Sequence, residues 1–365
     1  MMKERVAPAA DASHELIGAS VVNRNATPAS ISKIGRVPLP HFAWFVVVYN
    51  VTVIVWGAYV RATGSGAGCG NHWPLCNGEF LPTTPQTQTV IEFTHRVTSG
   101  LSLVLVAILL IWCWLRTAKG DWARYSAVAA AVLLFNEALL GALLVLVDHL
   151  GGLDRSATHA LVLCLHFGNT LLLLAALALT AKWLSNRDGR FALVPRLYQT
   201  IATGLGLVSV MVIGMTGSLA SLGDTIFPAN SLRHAVVQDF SSNSHILLRL
   251  RVLHPIAAVF GSIYVLWLLQ TVWRKQERSP WMPVALTAQI ALGTMNVILL
   301  TPVWLQMAHL LVAEIFWMLL VLASADQLFA IHHSGLALSR KESTGPNWSL
   351  GFKTAEHINR GGGHS

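Results

Sequence analysis

The sequence predicts an all-α integral membrane protein, with eight transmembrane helices arranged as two pseudo-symmetric four-helix bundles. Three observations predict it. Of the 365 residues, 54% are hydrophobic and only 12% charged, about half the charged share of an average soluble domain. Eight apolar stretches come close to or exceed the roughly 20 residues that a membrane-crossing helix needs. Landmarks in spans two, three and four recur, in order, in spans six, seven and eight.

The spans are read at 42–60, 90–115, 123–147, 158–183, 199–220, 250–273, 281–301 and 303–329. Span two holds Glu92-Phe93-Thr94-His95-Arg96, and span six holds Arg251-Val252-Leu253-His254-Pro255. Span three holds Asn136-Glu137 with Gly141, and span seven holds Gln289 with Gly293. Span four has Leu165-His166-Phe167-Gly168, and span eight has Ala308-His309-Leu310-Leu311. Four spans per half place both halves in one orientation, as a parallel repeat requires. The expected division is a cytoplasmic tail over 1–38, an N-terminal half over 39–184, a C-terminal half over 195–330, and a second cytoplasmic tail over 331–365.

The net charge of +8 raises nucleic acid as a partner, but its placement argues for topology instead. With a cytoplasmic N-terminus, the tails and even-numbered loops carry 19 of the 25 basic residues. Arg61, Arg96, Arg155, Arg233, Arg249 and Arg251 lie opposite. This is the positive-inside pattern. It predicts two cytoplasmic termini, a lipid bilayer as surroundings and no nucleic-acid partner. No short apolar run with a cleavage site precedes span one, so a removed signal peptide is not expected. Glu4, Asp11 and Glu15 weigh against a mitochondrial presequence, which leaves a bacterial plasma membrane as the expected location.

Three segments face outward: 61–89, rich in glycine and carrying Cys69 and Cys76; the short 148–157; and 221–249, read as a cap over the bundle mouth.

Ionisable groups inside spans mark functional sites, because hydrocarbon cannot hydrate them. His95, His166, His254 and His309 fall two per half, each in the outer third of its span. Paired histidines on facing helices are a common way to hold haem iron. A helix-packing role suits a lone membrane histidine; four in a repeated arrangement argue for ligation. His159 lies two turns before His166 on the same face; His166 is preferred because it matches His309. His72, His149, His234 and His245 sit in loops and read as solvated or loop-packing groups. Glu92 is three residues before His95 and shares its face. Span six offers Arg251 at that place, so only one half has the carboxylate, and that half is read as the reactive one. An ion pair with Arg96 or Arg61 is the alternative role. Arg61, Arg96, Arg249 and Arg251 cluster at the outer mouth, where they suit either carboxylates or lipid headgroups. The spacing of Cys69 and Cys76 permits a disulfide ring, serving either as a redox pair or as a staple. Cys113 and Cys164 read as core.

These residues resemble the heme A synthase family. Thr63-Gly64-Ser65-Gly66-Ala67-Gly68-Cys69 through Trp73-Pro74-Leu75-Cys76-Asn77-Gly78 is similar to that family's first outer loop. Glu92-Phe93-Thr94-His95-Arg96 is similar to its second-helix motif. Leu222-Gly223-Asp224 with Phe227-Pro228, and Arg251 with His254-Pro255, are similar to its second half. The resemblance covers about residues 40–330 and implies an oxidoreductase that converts a ring methyl of haem O to the formyl group of haem A, through two hydroxylations and loss of water. It implies substrate haem between His95 and His166, a haem b cofactor (iron) between His254 and His309, and Glu92 as the essential carboxylate. The four arginines become candidate contacts to haem propionates, and Cys69 with Cys76 a disulfide tied to haem handling or electron transfer. Haem O synthase and terminal oxidase assembly are the implied partners, with room for a homo-oligomer. Many bacterial members carry a second cysteine pair in the third outer loop; here 221–249 has none, which puts a relay between the loops in doubt. The rival readings are a di-haem b-type electron-transfer cytochrome and a haem carrier.

Overall fold

The structure, a computed structural model, describes residues 38–83, 85–147, 155–186, 190–193, 196–273 and 280–332. The tails expected over 1–38 and 331–365 lie outside these residues except for Pro38, Ile331 and His332, and His149 also lies outside. The helices are α1 (Leu39–Ala62), α2 (Thr87–Arg116), α3 (Trp122–Val147), α4 (Arg155–Ser185), α5 (Leu197–Ile226), α6 (Leu232–Phe240), α7 (Ile246–Arg251), α8 (Leu253–Trp267), α9 (Trp281–Ile298) and α10 (Val303–Leu328). Eight helical spans are long and apolar enough to cross a membrane, α7 and α8 counting as one span with the wider turn Leu268–Val272 that ends it. The chain is therefore an all-α integral membrane protein.

Two deviations from the sequence reading have local causes. Span six starts at Ile246 and breaks at Val252, because Pro255 has no N–H for the Arg251 carbonyl. Span seven ends at Ile298 rather than 301. There Leu300 and Thr301 take φ of 58° and 54°, a left-handed conformation that a β-branched residue rarely adopts. Thr301 N–H donates to Asn296 O at 2.7 Å and Gln306 Nε2 to Thr301 O at 2.7 Å, and Pro302 then caps α10. A tight α9–α10 hairpin results. The outer segment 221–249 contains α6, capped by the Ser231 side chain on His234 N–H. A two-stranded antiparallel ribbon, β1 (Arg190–Leu193) with β2 (Phe329–His332), was not foreseen.

Packing centres on α4, the most enclosed span: 61% of it is buried in the protein, against 17–39% for the others. One face joins Leu177 and Leu184 to Val46 of α1 and Leu109 of α2. Another joins Leu174 to Leu268, Trp317 and Leu320. The Trp317 indole donates to Leu171 O at 2.7 Å, tying α10 to α4 across the two halves. Apolar residues such as Phe135 and Phe260 remain exposed on the outside of the bundle, as a lipid-facing surface requires.

Candidate functional site

All four histidines meet a glycine on the preceding long helix. A side chain at Gly57 of α1 would place Cβ 2.7 Å from His95 Cε1 on α2. At Gly217 of α5 the distance to His254 Cε1 on α8 would be 3.0 Å, and at Gly293 of α9 it would be 3.1 Å to His309 Cε1 on α10. At Gly141 of α3 it would be 3.7 Å to His166 Cε1 on α4. At Gly57, Gly217 and Gly293 the imidazole lies on backbone that only glycine exposes, while the Gly141 contact is an ordinary one. Gly57 and Gly217 were missed in the sequence reading, although both precede a histidine-bearing span. The recurrence in both halves is compatible with the predicted duplication.

Ring nitrogens are partly held. His254 Nδ1 lies 3.1 Å from Ile213 O, a contact that fixes the tautomer and frees Nε2 for a metal. Gln289 Nε2 lies 3.2 Å from His309 Nε2. Nδ1 of His95, His166 and His309 is buried without a hydrogen-bond partner. His254 and His309 face each other with ring centres 6.4 Å apart and planes at 82°. Two imidazole–metal bonds of about 2 Å, plus about 1.1 Å from each nitrogen to its ring centre, span roughly 6.2 Å. Among the described residues no three histidine, cysteine or acidic side chains group to hold a metal ion. A pair of imidazoles therefore suits a metal that brings its own equatorial nitrogens, as haem does. The orphaned ring nitrogens, the His254–His309 separation and the glycine cradles all fit that group.

Glu92 is 3% exposed and both its oxygens are engaged. Oε1 accepts from Arg96 Nη2 at 2.6 Å and Nε at 3.1 Å, and Oε2 accepts from Cys69 N–H at 2.8 Å. Arg96 also donates to His72 O and Leu75 O. The disulfide-linked Cys69 and Cys76 are thereby pinned onto α2. The arginines anchor protein groups too. Arg251 sits between Asp224 at 2.7 Å and Asp239 at 2.5 Å, holding α6 and the end of α5 together. Arg249 donates to Ser242 O. Arg61 crosses from α1 to α5, donating to Ser218 O and Ser221 Oγ, while its buried Nε keeps no partner. Among the four candidate propionate contacts, Arg61 is the one with a buried N–H to spare.

His234 Nδ1 accepts from Asn230 N–H, and His245 caps α7 through Leu247 N–H, so both shape the outer cap. His159 is half-buried on α4. The sequence reading also missed two acids. Glu137 of α3 lies beside His166, with Oε1 3.4 Å from Nδ1. Glu314 of α10 is 1% exposed, and neither carboxyl oxygen has a partner. The presence of Glu137 inside an apolar span was the available signal; it had served only as a repeat landmark.

The family model COX15-CtaA, described as cytochrome oxidase assembly protein, matches residues 40–321. The chain is 42% identical over 296 residues to a protoheme IX farnesyltransferase of Thermus thermophilus, covering 80% of this chain and 48% of that protein. It is 41% identical over 138 residues to a heme A synthase of Alkalihalophilus pseudofirmus, 38% of this chain and 43% of that one. A heme A synthase of Exiguobacterium sp. is 30% identical over 187 residues, 51% of this chain and 59% of the relative. The chain spans about half the length of the curated relatives it matches.

Proposed function

We infer the function from one premise: this chain belongs to the COX15-CtaA family of cytochrome oxidase assembly proteins, the heme A synthase family. It acts, in this reading, as a heme A synthase in a bacterial plasma membrane, with both termini cytoplasmic. Haem O is substrate and haem A product, and haem O synthase and terminal oxidase assembly are its functional partners. The farnesyltransferase name is not carried over, because 48% of that protein aligns here and more than half lies outside the match.

The observation that carries the reading is the repeated glycine–histidine contact, which offers two imidazole pairs, with Glu92 one turn from only one of the four histidines. His95 and His166 of the N-terminal half hold the substrate haem. His254 and His309 hold a haem b. When bound, iron supplies the oxidising power that an unactivated methyl needs and side chains lack. The protein's own part is orientation, water exclusion and proton handling. Glu92 lies one turn before His95 and receives protons lost from the substrate side. Arg96 and the Cys69 amide keep its carboxylate in position. The Cys69–Cys76 loop closes over the same helix as a staple. His166 is preferred to His159 as ligand because Gly141 and Glu137 both face it. Arg61 reaches a propionate through its unpartnered N–H.

The test is to purify the protein from cells that also make haem O and identify the extracted porphyrins by mass. A formyl porphyrin is expected with the native sequence, and Glu92→Ala should abolish it while both haems remain bound. Unmodified haem throughout would identify a carrier or an electron-transfer cytochrome. Conversion that survives Glu92→Ala would remove the assigned role of Glu92.

A further inference from the structure

We propose that Glu137 is a positioning residue for His166, and that it makes the iron of the N-terminal half easier to oxidise than the iron of the C-terminal half. The inference rests on the reading that each imidazole pair holds a haem.

The geometry around Glu137 is specific. Thr170 Oγ1 donates to its Oε1, and Asn169 Nδ2 donates to its Oε2 at 2.5 Å. Asn169 also donates to Leu133 O at 2.8 Å and accepts from Asn136 Nδ2 at 2.9 Å. Asn169 and Thr170 are 6% and 3% exposed and lie within about one turn after His166 on α4. Both are neutral hydrogen-bond donors that fix the orientation of the carboxyl group. Its remaining neighbour is the buried, unpartnered Nδ1 of His166 at 3.4 Å. That separation is slightly longer than a good hydrogen bond, and a small turn of the ring closes it.

The C-terminal half has the same layout with a different group. Glu137 is four residues before Gly141, the glycine that faces His166. Gln289 is four residues before Gly293, the glycine that faces His309. The sequence spacing repeats but the ring atom does not: Gln289 Nε2 lies 3.2 Å from His309 Nε2, whereas Glu137 lies beside His166 Nδ1. A neutral amide therefore stands where the first half has a carboxylate of nearly the same shape. An imidazole that donates its spare N–H to a carboxylate becomes a more basic ligand and favours ferric iron. A neutral amide at the matched place brings no charge to strengthen its ligand in that way. Span two adds to the contrast, because its Glu92 is matched by Arg251.

The experiment is a potentiometric titration of the haem-loaded protein, followed by its optical spectra. With Glu137→Gln, both haems should stay bound while one ferric/ferrous ratio shifts about tenfold or more toward ferrous at fixed potential, equivalent to about 59 mV for one electron. With Gln289→Glu, the other haem should shift toward ferric. Two bound haems with unchanged potentials in both variants would overturn the inference and leave Glu137 a packing residue. Should Glu137→Gln lose its haem, Gln289→Glu decides alone, and an unmoved C-terminal haem overturns it. Native protein lacking two histidine-ligated haems would instead sink the underlying reading of the site.

Discussion

The glycine cradles permit a graded test, because the four distances differ. Alanine at Gly57 would set Cβ 2.7 Å from His95 Cε1 and 3.0 Å from Nε2, closer than carbon contacts allow. Alanine at Gly217 would approach His254 to 3.0 Å, and at Gly293 it would approach His309 to 3.1 Å. At Gly141 the approach is 3.7 Å, an ordinary contact. An imidazole in the haem-free protein relieves the clash by swinging aside. One bound to iron cannot, so the penalty falls on the loaded state. Overpacking by one methyl costs about 1–3 kcal/mol, or roughly 5- to 150-fold in haem affinity. Gly57→Ala should sit at the upper end, Gly217→Ala and Gly293→Ala lower, and Gly141→Ala near native. The assay is haem titration of purified protein by its Soret absorbance, alongside the melting temperature of the haem-free form. Native affinity in Gly57→Ala, or a larger loss in Gly141→Ala than in Gly57→Ala, would refute the claim that these glycines seat iron-binding rings.

Two further outcomes follow from the outer loops. Cys69→Ser opens a ring with a sequence separation of 7, worth about 2.5 kcal/mol by loop-closure entropy; the melting temperature should fall while haem content persists, because the Cys69 amide still bonds Glu92. Arg251→Met leaves Asp224 and Asp239 facing each other with no cation. Partial exposure of 12–17% puts the cost near the lower bound of about 3 kcal/mol for a broken buried pair, and the cap around α6 should become sensitive to protease before the spans unfold.

Much of this was legible in the sequence, and for physical reasons. Hydropathy finds spans because a bilayer demands satisfied backbone over a fixed thickness. The sequence reading selected His95, His166, His254 and His309 because ionisable groups in hydrocarbon are too costly to be incidental. What escaped was whatever depends on pairing between distant residues. The Arg190–Leu193 strand meets Phe329–His332, and Phe329 lies between the rings of Trp122 and Trp183, each with centroids 5.2 Å away. No local periodicity announces a four-residue strand whose partner is so remote. The arginines escaped for a related reason: a charge at the membrane mouth looks alike whether it awaits a ligand or already holds Asp224, Ser242 or Leu75. Gly57 was overlooked because a lone glycine in an apolar helix carries no signal until the neighbouring helix is known.

The comparison of the halves bears on why one would react and the other serve it. Duplication alone would give two equal sites, and the backbone features do repeat: glycine opposite histidine, four times. The differences lie in side-chain charge at matched places. Glu92 and Glu137 are matched by Arg251 and Gln289, with Glu92 paired to Arg96 and Arg251 held between Asp224 and Asp239. The packing contacts recur and the side chains at these places do not, so the variants Glu137→Gln and Gln289→Glu are the direct test of whether the halves differ in role.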